Sequence, residues 1–205
     1  ILAFSNAKSG ISAKELERQL ETTYKTAWRI LHLIRKALAQ DGKLKGDVEM
    51  DTAYFGGRFK SGKYNEKQKE AIAAKSVVMG AVQRDGNARL SVVENSKAAT
   101  HAEFLKETVD PEGTRLLTDG TRVLDKVAMG FNRHSVNHNI GEFVRGDVHS
   151  NTIDAFWSHI KRSITHKVVS KKYLQEYLDG FVFLRNNRHS DRERFALLLG
   201  TLLRA

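Results

Sequence analysis

The chain has no cysteine, which excludes disulfides, thiolate catalysis and cysteine-based zinc modules from its chemistry. It also lacks any run of about 18 apolar residues, the length a helix needs to cross a bilayer. The opening ILAFSNAKSG has neither the basic flank nor the long apolar stretch of a signal peptide. No membrane partner and a soluble, cytoplasmic location are therefore expected. Internal repeats and low-complexity tracts are missing as well, and the first residue is Ile rather than Met, so a processed or truncated piece is expected.

What is present is an ordinary globular composition with an uneven distribution of charge. The 205 residues are 40% hydrophobic and carry a net charge of +10, enough material for one sizeable domain or a domain plus a small module. Residues 1–46 hold nine Lys/Arg against four Asp/Glu, residues 58–75 six against two, and residues 155–195 nine against four. The remainder is net negative, at −4, and contains Asp51, Asp119 and Asp154. Basic flanks around an acidic centre suit a protein that grips a polyanion and holds cations at one point.

Hydrophobic periodicity predicts two short helices in GISAKELERQLETTYKTAWRILHLIRKAL. Ser12 with Glu15 forms a capping box, Leu16 and Leu20 give the first buried stripe, ETT breaks the pattern, and Ala27, Ile30, Leu31 and Ile34 give the second stripe. A basic second helix fits a helix-turn-helix, with Tyr24, Lys25 and Arg29 as candidate DNA contacts; a plain packing hairpin is the alternative. VEMDTAYFGG reads as a strand entering a Gly-Gly turn, and residues 58–75 as a basic loop or insertion. SVVMGAVQ and ARLSVVEN flank Arg84-Asp85-Gly86-Asn87 as a hairpin. THAEFLKETV is predicted helical with Thr100 as its cap, TRLLTDG a short strand, TRVLDKVAMGF a helix, and the C-terminal region helical and basic. The order of elements implies an α/β fold with a mixed sheet.

Asp51 and Asp119 stand where predicted strands end, and Asp154 in the first turn of a helix starting at Asn151. On that helix Ile153, Phe156, Trp157, Ile160 and Ile164 share an apolar side, while Asn151, Asp154, Ser158 and Lys161 fall within an arc of roughly 80°. Each acidic residue has an ordinary explanation: Asp119-Gly120 as a turn, Asp51 as a strand-terminal polar residue, Asn151 and Asp154 as an N-cap and its N3 partner. Converging, they form a negative centre of oxygen ligands suited to Mg²⁺ or Mn²⁺ shared with substrate phosphate. Two such ions about 3.5–4 Å apart can clamp the attacking and leaving oxygens of a phosphodiester displacement. His134, His138 and His149 are too irregularly spaced to point to zinc; His149 is a candidate for orienting substrate or water.

VEMDTAYFGGR, LLTDG, VNHNIGEFVRGDVHSNTIDAFWSHIKR and SKKYLQEYLDGFVFLRNNRH resemble the successive motifs of ISXO-like bacterial insertion-sequence transposases, a branch of the DDE transposases with a ribonuclease H-like catalytic fold. The resemblance runs from about Gly10 to His189. It implies a helix-turn-helix segment over 1–46 and a ribonuclease H-like domain over 47–205, with a mixed sheet flanked by helices. It implies metal-binding carboxylates at Asp51 and Asp119, with Asp154 or Asn151 completing coordination, and Lys161 on phosphate near the scissile bond with Arg162 beside it. Arg185 and Arg188, like Arg192, are candidate DNA-phosphate contacts or surface charge.

The expected activity is metal-dependent cleavage at element ends and joining to target DNA, by a homo-oligomer assembled on double-stranded DNA and associated with the nucleoid. An inactive helix-turn-helix DNA-binding protein and a nuclease that cuts without joining are the competing expectations. Two departures from the family pattern stand out. Thr52 and Asp154 occupy positions where relatives often carry Glu, and at position 154 the shorter side chain retracts the carboxylate by roughly 1.5 Å. The cysteine-rich zinc ribbon that usually precedes the helix-turn-helix is missing, which implies a truncated copy.

Overall fold

The computed structural model describes residues 1–38, 40–56, 75–136, 141–142, 144–165 and 169–204. The basic stretch expected at 58–75, apart from Lys75, and His138 lie outside the described residues. The chain forms two compact units. One comprises Ile1–Gly42, Gly86–Ala88 and Ser158–Ala205, the other Lys43–Asp85 and Arg89–Trp157.

The second unit is built on a five-stranded sheet: β1 (Leu44–Phe55), β2 (Ser76–Gln83), β3 (Ala88–Val93), β4 (Val109–Asp119) and β5 (Asn132–Val136), in the order β3-β2-β1-β4-β5. β2 runs antiparallel to β1, whereas β4 runs parallel to β1 and β5 parallel to β4. This is the mixed α/β sheet that the element order predicts. Alternation along β1 sorts its residues between two faces. Val48 and Met50 join Met79, Ala81 and Leu116 on one side, against Phe104 and Leu105 of α4 (Ala98–Thr108) and Leu124 of α5 (Val123–Val127). Glu49 and Asp51 therefore point to the other side, where α6 (Asn151–Thr165) begins.

Three local expectations are corrected. Thr100 does not cap α4: the cap position is Lys97, and Asn95 Oδ1 accepts from both the Lys97 amide and the Thr100 hydroxyl, which turns Thr100 inward as part of the first turn. β4 is longer than the short TRLL strand, because it starts directly at the end of α4. Its pairing with β1 slips between Leu44↔Val109 and Gly46↔Thr114, a bulge that accommodates Pro111 and the left-handed Gly113. The helix expected over TRVLDKVAMGF shrinks to five residues, since the Thr121 amide is tied back to Asp119 Oδ1 and the Phe131 amide closes a turn on the Ala128 carbonyl.

The first unit is helical: α1 (Leu2–Ser5), α2 (Ala13–Leu20), α3 (Tyr24–Lys36), α7 (Leu174–Asn186) and α8 (Asp191–Leu202). Ser12 caps α2 by accepting from the Glu15 amide, Glu21 takes the left-handed conformation at φ 48°, and Thr23 caps α3. The ETT break is thus a helix stop followed at once by a helix start. Leu16, Ala27, Leu31 and Ile34 are buried as expected, but Leu20, on the final turn beside Glu21, is 52% exposed. The helix ends before that position reaches the core.

Leu184 of α7 and Leu198 of α8 complete the core around these residues. Buried Arg194 strengthens the connection between the chain's beginning and end, donating from Nη1 to the Ser5 carbonyl and from Nε to the Asn187 carbonyl. The N-terminal hairpin therefore shares its core with helices from the opposite end of the chain. Leu198→Ala is expected to destabilise this unit by about 2–5 kcal/mol through lost burial and the cavity left behind. Chemical denaturation followed by circular dichroism checks this, and an unchanged midpoint would contradict the shared core.

Candidate active site

Asp51 lies opposite Gly80 in the β1–β2 ladder, and Met50 lies opposite Thr118 in the β1–β4 ladder. One residue further on, Asp51 and Asp119 emerge side by side from neighbouring parallel strands, on the same face of the sheet. Asp154 approaches from the first turn of α6. Asp119 and Asp154 both stand near enough to Asp51 to act on its charge. Burial is the main influence holding the Asp51 carboxyl above the usual carboxylate range, and the charges of Asp119 and Asp154 push the same way; the Thr52 backbone and the Trp157 indole oppose them.

Each member of the trio has a protein donor. Asp51 Oδ2 accepts from Trp157 Nε1 at 3.0 Å. Asp119 Oδ1 accepts from the Thr121 hydroxyl at 2.6 Å and its amide at 3.3 Å, the turn that Asp119-Gly120 suggested. Asp154 Oδ2 accepts from the Ser150 hydroxyl at 2.8 Å. The start of α6 is accordingly not the Asn151-capped arrangement considered from sequence: Asn151 is already helical and exposed.

Trp157, expected in the core, is buried at 4% exposure and is also an active-site donor. Its ring crosses β2 at Gly80, where an added Cβ would stand 2.6 Å from Trp157 Cζ2 and 2.8 Å from Leu90 Cδ2. Only glycine leaves room for the indole to lie there and reach Asp51 on the adjacent strand. Phe55 holds the ring edge-on, with centroids 5.9 Å apart.

No local motif marks Glu49, although V-E-M-D alternation places it on the face of Asp51 and a carboxylate there needs partners. It is fully buried. Its Oε2 accepts from the Thr152 and Ile153 amides at 2.7 and 3.0 Å, and its Oε1 from Arg84 Nε at 2.8 Å and the Thr152 hydroxyl at 3.0 Å. Arg84 also donates to the carbonyls of Asp147 and His149 and, at 3.1 Å, to His149 Nδ1. The Asn151 amide donates to the same Nδ1 at 3.4 Å, so that nitrogen carries the lone pair and the ring proton sits on Nε2. His149 thereby belongs to the support of the α6 start.

The other candidates lie elsewhere on the elements. Lys161 and Arg162 are exposed on α6, past the division between units that falls after Trp157. Tyr24, Lys25 and Arg29 are exposed along α3. Arg188 is exposed and donates to the Gly86 and Arg185 carbonyls, while Arg185 is half-buried. His134 bonds to the Asn132 side chain, a local contact.

An ISXO2-like transposase domain model matches residues 43–186, more than half of the chain. The chain belongs to the ISXO2-like transposase family. It is also 28% identical, over 99% of its length and 74% of the relative's, to an uncharacterised protein in the transposable element ISH50 of Halobacterium salinarum. Among solved structures it aligns with a chain of the simian T-cell lymphotropic virus intasome in complex with the PP2A regulatory subunit B56 gamma, at 9% identity, TM-score 0.36, 79% of this chain and 58% of that one. It aligns with the Mos1 strand transfer complex at 12% identity, TM-score 0.37, 95% and 71%. The chain thus spans little more than half of the first of these structures. The strand order and directions are those of a mixed α/β sheet flanked by helices. Among the described residues, no helix is long and apolar enough to cross a membrane.

The chemistry of the trio fits a hard divalent cation: the charges of Asp119 and Asp154 raise the proton affinity of Asp51, and a cation offsets that repulsion. Among the described residues, however, no three Asp, Glu or His side chains are gathered into a ready ion cage. The raised Asp51 carboxyl has a defined sign in stability. Because it binds its proton more tightly folded than unfolded, it lowers stability as pH rises through the carboxylate range, and the penalty persists at neutral pH without metal. Metal-free Asp51→Asn is expected to melt higher than the wild type at pH 7, with the difference vanishing at pH 3; a lower melting temperature at pH 7 would contradict the crowding of charge. Gly80→Ala is expected to cost about 1–3 kcal/mol through overpacking and to shift tryptophan emission. Unchanged stability and emission would remove the close approach of Trp157.

Proposed function

We propose that this protein is a transposase that cleaves double-stranded DNA at insertion-sequence ends and joins the resulting 3′-hydroxyl to target DNA. The observation that carries the proposal is the placement of Asp51 and Asp119 at matching positions of two neighbouring parallel strands, with Asp154 on the first turn of the helix whose Trp157 donates to Asp51. Asp51 and Asp119 hold Mg²⁺ or Mn²⁺, with Asp154 as third ligand in preference to Asn151, because a carboxylate offsets cation charge and an amide does not. When bound, the metal supplies charge stabilisation for the phosphodiester displacement and lowers the proton affinity of the nucleophile. Trp157 keeps Asp51 oriented through its indole N–H and excludes water from one side of that carboxylate. Lys161 and Arg162 contribute phosphate contacts.

The basic, exposed side of α3 with Tyr24, Lys25 and Arg29 supports a role in gripping element ends. Arg185 and Arg188 add phosphate contacts in the same helical unit, and the active species is a homo-oligomer on DNA. The second reading is a DNA-binding protein that does not cut. Its supporting observations are the missing ion cage among the described residues and the short Asp154 side chain.

A cleavage and strand-transfer assay on cognate-end DNA with Mg²⁺ or Mn²⁺ separates the two. Asp51→Asn and Asp119→Asn are each expected to reduce cleavage by at least about a hundredfold while DNA affinity stays within about twofold, as removal of a transition-state interaction requires. Asp154→Ala is expected to abolish activity, and activity surviving in that variant would move the third role to Asn151. DNA binding without cleavage in the wild type and in Asp154→Glu would establish the second reading.

A further inference from the structure

We propose that Glu49 is a positioning residue for this site: it sets where Asp154 stands relative to Asp51 without touching metal or substrate itself. The proposal rests on the metal-site reading above. It begins from the amides at a helix start, which have no partner within the helix and are ordinarily satisfied by a side chain at the N-cap. In α6 the residue at that position, Ser150, does not do this; its hydroxyl donates to Asp154 Oδ2 instead. The Thr152 and Ile153 amides are satisfied by a carboxylate about a hundred positions away in the chain, Glu49 on β1.

That substitution of a distant cap for a local one has a geometric effect. Glu49 is two residues before Asp51 on the same face of β1, and Ile153 immediately precedes Asp154. One carboxylate therefore fixes the offset between the strand bearing the first acidic residue and the helix bearing the third. With Asp154 carrying a short side chain, a small error in that offset is enough to take its carboxylate out of coordination range. Ser150 then selects the rotamer of Asp154.

The contact is specified as well as strong. Both oxygens of a fully buried carboxylate accept two bonds each, from two helix amides, one hydroxyl and one guanidinium. The charge faces the positive end of the helix and the Arg84 cation, so no part of it is left uncompensated. Arg84 extends the clamp to residues 147 and 149 just before the helix. Glutamine in the same shape offers one acceptor oxygen in place of two. Its amide group must then oppose either the helix N–H pair or the guanidinium.

The test compares full-length wild type, Glu49→Gln and Thr152→Val by amide hydrogen exchange, Mn²⁺ binding without DNA, and DNA affinity. Glu49→Gln is expected to accelerate exchange at Thr152 and Ile153 and to weaken Mn²⁺ binding by roughly tenfold or more, as loss of an outer-shell support does, with DNA affinity within twofold. Thr152→Val removes only the hydroxyl donor and preserves both amides, so it answers the question even if Glu49→Gln does not fold; a smaller weakening of Mn²⁺ binding is expected. Faster exchange with unchanged Mn²⁺ affinity would make Glu49 a structural cap and overturn the positioning role alone, as would Mn²⁺ affinity unchanged in a Thr152→Val protein tested in place of an unfolded Glu49→Gln. Absence of Mn²⁺ binding by the wild type would overturn the metal-site reading, and this proposal with it.

Discussion

The buried carboxylate of Glu49 against the first amides of α6 is the interaction on which the candidate site depends. A sheet presents Asp51 and Asp119 at fixed spacing because they leave adjacent parallel strands. A helix has no such intrinsic register against a sheet: it slides and rotates until side chains stop it. Here the stop is made of charge-assisted hydrogen bonds between Glu49 and the helix end, supported by Arg84, rather than by apolar packing alone. Ile153, Phe156, Trp157 and Ile160 supply the burial along the rest of the helix.

A second constraint follows from the first. Once the helix start is set, Trp157 falls over β2, and Gly80 is the residue that lets it lie there. The indole then reaches Asp51, so the aromatic that buries the helix also orients the carboxylate. Electrostatics oppose this assembly. Desolvation and two neighbouring carboxylates hold the Asp51 proton more tightly than usual, so without a cation the site is under repulsion. Such tension is common where folds gather charge for chemistry, and it is the physical reason a hard divalent ion suits this place.

Much of this was legible in the sequence. Period-two patterns in VEMDTAYF and SVVMGAVQ gave strands, the Asp85-Gly86 turn gave a hairpin, and period-3.6 patterns gave α3 and α6 with their apolar faces. Asp119 and Asp154 stand out because one ends a strand and the other begins a helix; Asp51, expected at a strand end, lies inside β1, which runs on to Phe55. The cap of α6 was not legible, since its partner lies on β1 and no local pattern reports a contact over that separation. Helical spacing places Trp157 in the core, which is correct for the ring but silent about its N–H. Leu20 fitted the buried stripe of α2 by angle, yet the helix stops at Glu21 before the core extends to it. Pro111 and Gly113 hid the first half of β4, because a bulged strand does not alternate.

The most direct measurement is an anomalous difference map from crystals of the protein with cognate-end DNA and Mn²⁺. A peak coordinated by Asp51 and Asp119, with Asp154 in the same coordination sphere and Glu49 outside it, is the predicted result. Ordered DNA in the same crystals with no peak at these carboxylates, or a peak ligated elsewhere, would contradict the assignment of the three aspartates as the metal-binding centre.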